Sequence, residues 1–84
     1  MGIIGTGQIG RTVIRELSGF GCRILAYDSF EDPGTKEIAQ YVPLKTLYRE
    51  SDIISLHVPL TSETYHMINA DTLSMMKKGV VLIN

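Results

Sequence analysis

The residues of this chain whose types and spacing could do chemistry come first in it. They are Gly5-Thr6-Gly7-Gln8-Ile9-Gly10, followed about twenty residues on by a carboxylate, Asp28. The chemistry they suit is the holding of an anion and a sugar. Gly5 permits a sharp turn out of a strand, Gly7 has no side chain to keep a pyrophosphate away, and Gly10 lets the following helix lie close on a sheet. Backbone N–H groups of that helix's first turn, at Gln8 and Ile9, then face an anion that the helix dipole also favours. Asp28, ending the next strand, would accept hydrogen bonds from the hydroxyls of an adenosine ribose. Its charge repels a 2′-phosphate, so the pattern implies NAD rather than NADP.

A glycine hexad alone is a weak signal, because glycine is common in turns of every kind. It gains meaning here from a strand, a helix and an acid that fall in register around it. Residues 1–4 supply the first strand, short against the usual five or six or so. Ile9, Val13, Ile14, Leu17 and Phe20 recur at helical spacing, which predicts a helix over about 8–20, with Gly21 placed to cap its end. Residues 23–27 make the second strand and 29–34 a loop. Asp32-Pro33 then suits the entry to a short helix reaching about Gln40. Tyr41-Val42 reads as a minimal third strand, stopped by Pro43, which belongs on an edge. Leu44, Leu47 and Tyr48 give the next short helix a single apolar stripe.

Residues 53–56 are apolar almost throughout, as in a strand covered on both faces. They deliver the chain into His57-Val58-Pro59-Leu60-Thr61 at the carboxyl end of the sheet, where ligands lie in open α/β folds. Thr61 can cap a helix beginning at Ser62. Asn69 can cap the next, which turns Leu73 and Met76 inward and ends in Lys77-Lys78-Gly79 with cations at its negative end. Residues 80–83 form a fifth strand.

Composition narrows the setting. At 84 residues the chain is shorter than a typical domain, and a full dinucleotide fold needs roughly twice that length. A formal net charge of −1 gives no pull toward nucleic acid or acidic membranes. No apolar run reaches the roughly 20 residues of a membrane span, and the chain opens on a strand rather than a signal peptide. A cytoplasmic setting is the expectation. Cys22, the single cysteine, excludes an internal disulfide and reads as a buried, inert thiol. His57 and His66 have no cysteine or paired carboxylate at ligand spacing, so no metal is expected. Both histidines read as packed or capped side chains rather than proton carriers. Arg11 either touches a phosphate from the first helical turn or stays a solvated surface residue. Tyr27 and Tyr48 read as core or rim aromatics, and the four methionines as gap fillers.

Three passages together carry a family resemblance: Gly5-Thr6-Gly7-Gln8-Ile9-Gly10-Arg11, then Ser51-Asp52-Ile53-Ile54-Ser55-Leu56-His57-Val58-Pro59-Leu60-Thr61, then Met76-Lys77-Lys78-Gly79-Val80-Val81-Leu82-Ile83-Asn84. In this order and spacing the chain resembles the NAD-binding domain of D-2-hydroxyacid dehydrogenases. The His-Val-Pro-Leu passage and Tyr65-His66-Met67-Ile68-Asn69 are most similar to the D-lactate dehydrogenase branch, including its relatives in glycopeptide-resistance clusters. The resemblance implies that Gln8 and Ile9 meet the pyrophosphate, that Asp28 meets the ribose, that Val58 and Pro59 line the adenine-side pocket, and that Thr64 sits near the phosphates. Thr64 also reads equally well as a helix-start residue competing with Thr61 for the cap. Ser29 departs from the family, where many members have Pro after the acid. The family's substrate-binding Arg, its Glu and its catalytic His all fall beyond Asn84, so no catalytic residue is expected within the chain.

The fold expected is α/β: a partial Rossmann-type doubly wound parallel sheet of about five strands with intervening helices, truncated at both ends. Residues 1–84 then form a partial NAD-binding domain without its catalytic and substrate domain. The resemblance implies a parent enzyme, a homodimer or higher, that reduces a small 2-keto acid such as pyruvate to the D-2-hydroxy acid. The alternatives are an NAD-responsive interaction module of the corepressor kind and a truncated product with no role of its own. So short a chain buries only around 60% of its unfolded surface. It is expected to be marginally folded or to self-associate, and to hold NAD more weakly than a complete domain does.

Overall fold

The computed structural model describes residues 1–58 and 69–83. Five strands form one sheet: β1 (Gly2–Ile4), β2 (Leu25–Tyr27), β3 (Gln40–Tyr41), β4 (Ile53–Leu56) and β5 (Val81–Ile83). Their order across the sheet is β3-β2-β1-β4-β5, and every adjacent pair is parallel. The helices described are α1 (Gln8–Ser18), α2 (Leu44–Glu50) and α3 (Ala70–Met75). Strand order reverses at β1: the chain moves outward through β2 and β3, then returns to pair β4 on the other side of β1. That reversal opens a crevice at the carboxyl ends of β1 and β4.

Alternation along the strands divides the core in two. Ile3, Ala26 and Ile24 point to one face and pack with Ile14 of α1 and with Ala39. Ile4, Leu25 and Ile54 point to the other and pack with Leu47 and Tyr48 of α2. Adjacent residues of one strand thus belong to different clusters, as a sheet covered on both faces requires. α2 lies so close over β1 that a Cβ on Gly2 would stand 2.8 Å from Leu47 Cδ2. Burial in that cluster also pushes the Tyr48 hydroxyl's pKa up, with Tyr27 adding to the effect.

Several local expectations are corrected. α1 stops at Ser18, and Gly21, with φ of +71°, turns the chain after it. Within its apolar stripe only Ile14 is fully covered, while Ile9 and Phe20 are 70% and 82% exposed. Cys22 is exposed rather than buried, because the chain leaves the helix before entering β2. The helix expected after Asp32-Pro33 is a single 3-10 turn over Thr35–Glu37. Just before it, Asp32 closes a local loop by accepting from both the N–H and the hydroxyl of Thr35, at 2.9 Å each. β3 lies one residue earlier than Tyr41-Val42. Asn69 caps α3 as expected, in a reciprocal pairing with Thr72. Leu73 is nevertheless exposed, and Met75 and Met76 make the packing contacts. Lys77 and Lys78 lie beyond the end of that helix, and Lys77 pairs with Asp52 at 3.1 Å. The helix expected from Ser62, with its cap at Thr61, lies outside the described residues.

Candidate functional site

Register brings the site together. Ile4 of β1 stands level with Tyr27 of β2 and with Leu56 of β4, so Gly5, Asp28 and His57 emerge side by side at one rim of the sheet. The N–H of Gly5 donates to the Tyr27 carbonyl at 2.8 Å, and the N–H of His57 donates to the Ile4 carbonyl at 2.7 Å. Gly5 has φ of +97°, and a Cβ there would meet the His57 carbonyl carbon at 2.7 Å. Only glycine serves at that position. At Gly10 a Cβ would run into the carbonyl oxygen of Gly5, so the helix rests directly on the turn. A Cβ at Gly7 would meet nothing within 4 Å among the described residues.

The glycines therefore divide by cause: Gly5 and Gly10 are demanded by protein packing, and Gly7 faces open space. Gly7 is also the N-cap of α1 and has no side chain to accept a hydrogen bond, so among the described residues the first-turn amides of Gln8 and Ile9 have no capping partner. Open space and free amides together suit an anion.

Asp28 is tied into this turn. Its Oδ2 accepts from the Thr6 N–H at 2.7 Å and from the Thr6 hydroxyl at 3.3 Å. Its Oδ1 accepts from the Ser29 hydroxyl and the Phe30 N–H, both at 3.3 Å. Burial alone would raise its pKa. The donors from Thr6, Phe30 and Ser29 together outweigh that and hold the carboxyl below the ordinary aspartate value. The group is thus an anion at neutral pH, with the longer-bonded Oδ1 left to accept further donors.

Other residues singled out by the sequence fall as follows. Val58 is half-buried beside the turn and packs against the α2-side cluster. Pro59 and Thr64, as well as His66, lie outside the described residues. His57 Nε2 stands 2.7 Å from the Ser55 hydroxyl, which makes it a hydrogen-bonded side chain at a strand end. Arg11 pairs with Asp32 at 3.2 Å. Asp32 is held below its ordinary pKa by the hydroxyl and N–H of Thr35, and then by Arg11. Two members of the cluster went unnoticed in the sequence, Thr6 and Tyr41. Thr6 sits at a variable position of the glycine pattern, and Tyr41 looks like any strand aromatic.

A parallel sheet whose order reverses beside a glycine turn, with a helix N-terminus and a carboxylate at the same rim, defines a Rossmann-type dinucleotide-binding unit. The chain belongs to the NAD-binding domain family of D-isomer specific 2-hydroxyacid dehydrogenases, whose profile matches residues 1–84. It is 49% identical to the D-lactate dehydrogenase of Escherichia coli K12 over 99% of its own length and 26% of that protein's. It is 52% identical to the glyoxylate reductase of Korarchaeum cryptofilum over 100% of its length and 26% of that protein's. Among solved structures it resembles the D-lactate dehydrogenase of Aquifex aeolicus complexed with NAD and lactic acid. That likeness has a TM-score of 0.95 and 50% identity, and covers 99% of this chain and 25% of that one. The chain thus spans about a quarter of the length of these relatives.

Proposed function

We propose that residues 1–84 hold the adenosine and pyrophosphate end of NAD for a D-2-hydroxyacid dehydrogenase of the D-lactate dehydrogenase kind. In this reading the N–H groups of Gln8 and Ile9 bind the pyrophosphate across the open space at Gly7, and Gly5 and Gly10 shape the turn. Asp28 takes the ribose hydroxyls, Val58 and Pro59 flank the adenine, and Thr64 stands near the phosphates. The observation that carries the reading is the Asp28 carboxylate lying 2.7 Å from the Thr6 amide, inside the glycine turn itself. An anion so placed accepts from a diol and repels a 2′-phosphate.

Bound NAD supplies the site that accepts or gives up a hydride; the protein's part here is to bind and orient it. The longer enzyme acts on a small 2-keto or 2-hydroxy acid such as pyruvate or D-lactate, a choice supported by the D-lactate dehydrogenases among the relatives. It works as a homodimer or higher assembly in the cytoplasm. No helix among the described residues is long and apolar enough to cross a membrane.

Calorimetric titration of the chain with NAD and NADP tests the proposal. NAD should bind and NADP should bind more weakly, and Asp28→Asn should weaken NAD while narrowing the gap between the two. Equal binding of both cofactors by the unaltered chain would overturn it.

A further inference from the structure

Asp28 does not hold its place alone. Tyr41, on the short β3, packs its ring against the cluster beneath α1 and sends its hydroxyl to the glycine turn. That hydroxyl donates to Thr6 Oγ1 at 2.7 Å and accepts from the Asp32 N–H at 3.0 Å. Thr6 is buried, and its own hydroxyl donates to Asp28 Oδ2 at 3.3 Å.

Proton counting gives the chain a direction. Each hydroxyl has a single proton to give. The Asp32 amide approaches the Tyr41 oxygen as a donor, so the phenol proton is directed to Thr6. With Tyr41 as its donor, Thr6 turns its own proton to the carboxylate. Hydrogen bonds aligned in this way polarise one another. The run Asp32 N–H, Tyr41, Thr6, Asp28 therefore ends on Oδ2, which the Thr6 N–H also grips. Each carboxylate oxygen has two contacts, and Oδ1, with both of its own at 3.3 Å, is the one held less tightly and more readily given to a ligand.

We propose that Tyr41 and Thr6 are positioning residues for the ribose-binding carboxylate: Tyr41, acting through the Thr6 hydroxyl, locks Asp28 Oδ2 to the glycine turn so that Oδ1 is presented to the ribose diol. This rests on the NAD reading above. A carboxylate free to swing must be fixed at the moment of binding, whereas one already fixed need not be.

The test compares ADP with 2′-deoxy-ADP, which lacks one of the diol's two hydroxyls, as titrants of the chain. Tyr41→Phe keeps the ring and its packing, and circular dichroism melts check that each variant folds. Tyr41→Phe should weaken ADP about three- to tenfold, the range of a single hydrogen bond, and weaken 2′-deoxy-ADP clearly less. Thr6→Val, which lacks the hydroxyl, should do the same, and Thr6→Ser, which keeps it, should restore ADP binding. In an Asp28→Asn background the Tyr41→Phe effect should shrink toward none. Equal losses on both nucleotides, no loss on either, or full persistence of the effect in the Asp28→Asn background would overturn the inference. Asp28→Asn separates the two claims. If it discriminates between the nucleotides while Tyr41→Phe does not, only the brace is wrong. If it too fails to discriminate, the dinucleotide reading falls with it.

Discussion

Gly7 and Gly10 belong to the same glycine-rich stretch yet are glycine for opposite reasons, and substitution tells them apart. Gly10→Ala drives a methyl into the Gly5 carbonyl, so it should destabilise the fold by about 1–3 kcal/mol despite the gain in helix propensity. Gly7→Ala meets nothing and should leave the melting temperature nearly unchanged, while NAD affinity falls about tenfold. Thermal melts beside titrations check both, and a Gly7→Ala variant that binds normally would remove the open space from the argument. Asp28 adds a pH dependence whose sign follows from its surroundings. Donors hold the folded carboxyl below its ordinary value of 3.8, so the folded chain takes up that proton less readily than the unfolded chain. Its contribution to stability is full above that value and is lost as pH falls through the lower, folded one. Asp32 is held low as well and titrates in the same acid window, so only the difference between the unaltered chain and Asp28→Asn isolates Asp28. The variant should lose less stability than the unaltered chain on acidification from about pH 4 to pH 2, read as melting temperature against pH.

At the scale of elements, α1 shows how a sequence pattern can overstate a buried face. Ile14 is fully buried at the seam with the sheet, and Ile9, on the same apparent stripe, is 70% exposed beside the turn. Ile14→Ala should therefore cost about 2–5 kcal/mol, a large part of what any domain of this size possesses. Ile9→Ala should stay within about 0.5 kcal/mol. Comparable losses in denaturant titrations would restore Ile9 to the core. The five strands, the glycine turn and the place of Asp28 were legible because each has a local sequence cause: apolar runs, residues with no Cβ, and an acid at a strand end. Cys22, Leu73 and the turn after Pro33 were not. Their burial depends on where neighbouring elements end, and Asp32 satisfies its own local donors instead of starting a helix. Tyr41 was hidden for a related reason. Its hydroxyl matters only because β3 pairs beside β2 in a register that sets Tyr41 next to Ala26, and no spacing along the chain reports that.

At the scale of the molecule, the two sides of the sheet end differently. β3 is two residues long and adjoins a helical turn, while β5 lies at the opposite end of the sheet with every residue exposed. Pairing places Ile53 opposite Val81 and Ser55 opposite Ile83, and Ser55 in turn opposite Ile3. Ile53, Val81 and Ile83 therefore share the face that α1 covers farther along, where they are 37%, 51% and 48% exposed. Three branched apolar side chains beside an outer strand form the kind of surface that pairs with another copy. The 84-residue chain should therefore associate as its concentration rises. Ile83→Lys, which puts a charge on that strand at a position already half exposed, should shift the association to higher concentration without lowering the melting temperature of the dilute chain. Sedimentation velocity across a concentration series checks this. A chain that stays monomeric throughout, with or without the lysine, would show that this face needs no cover.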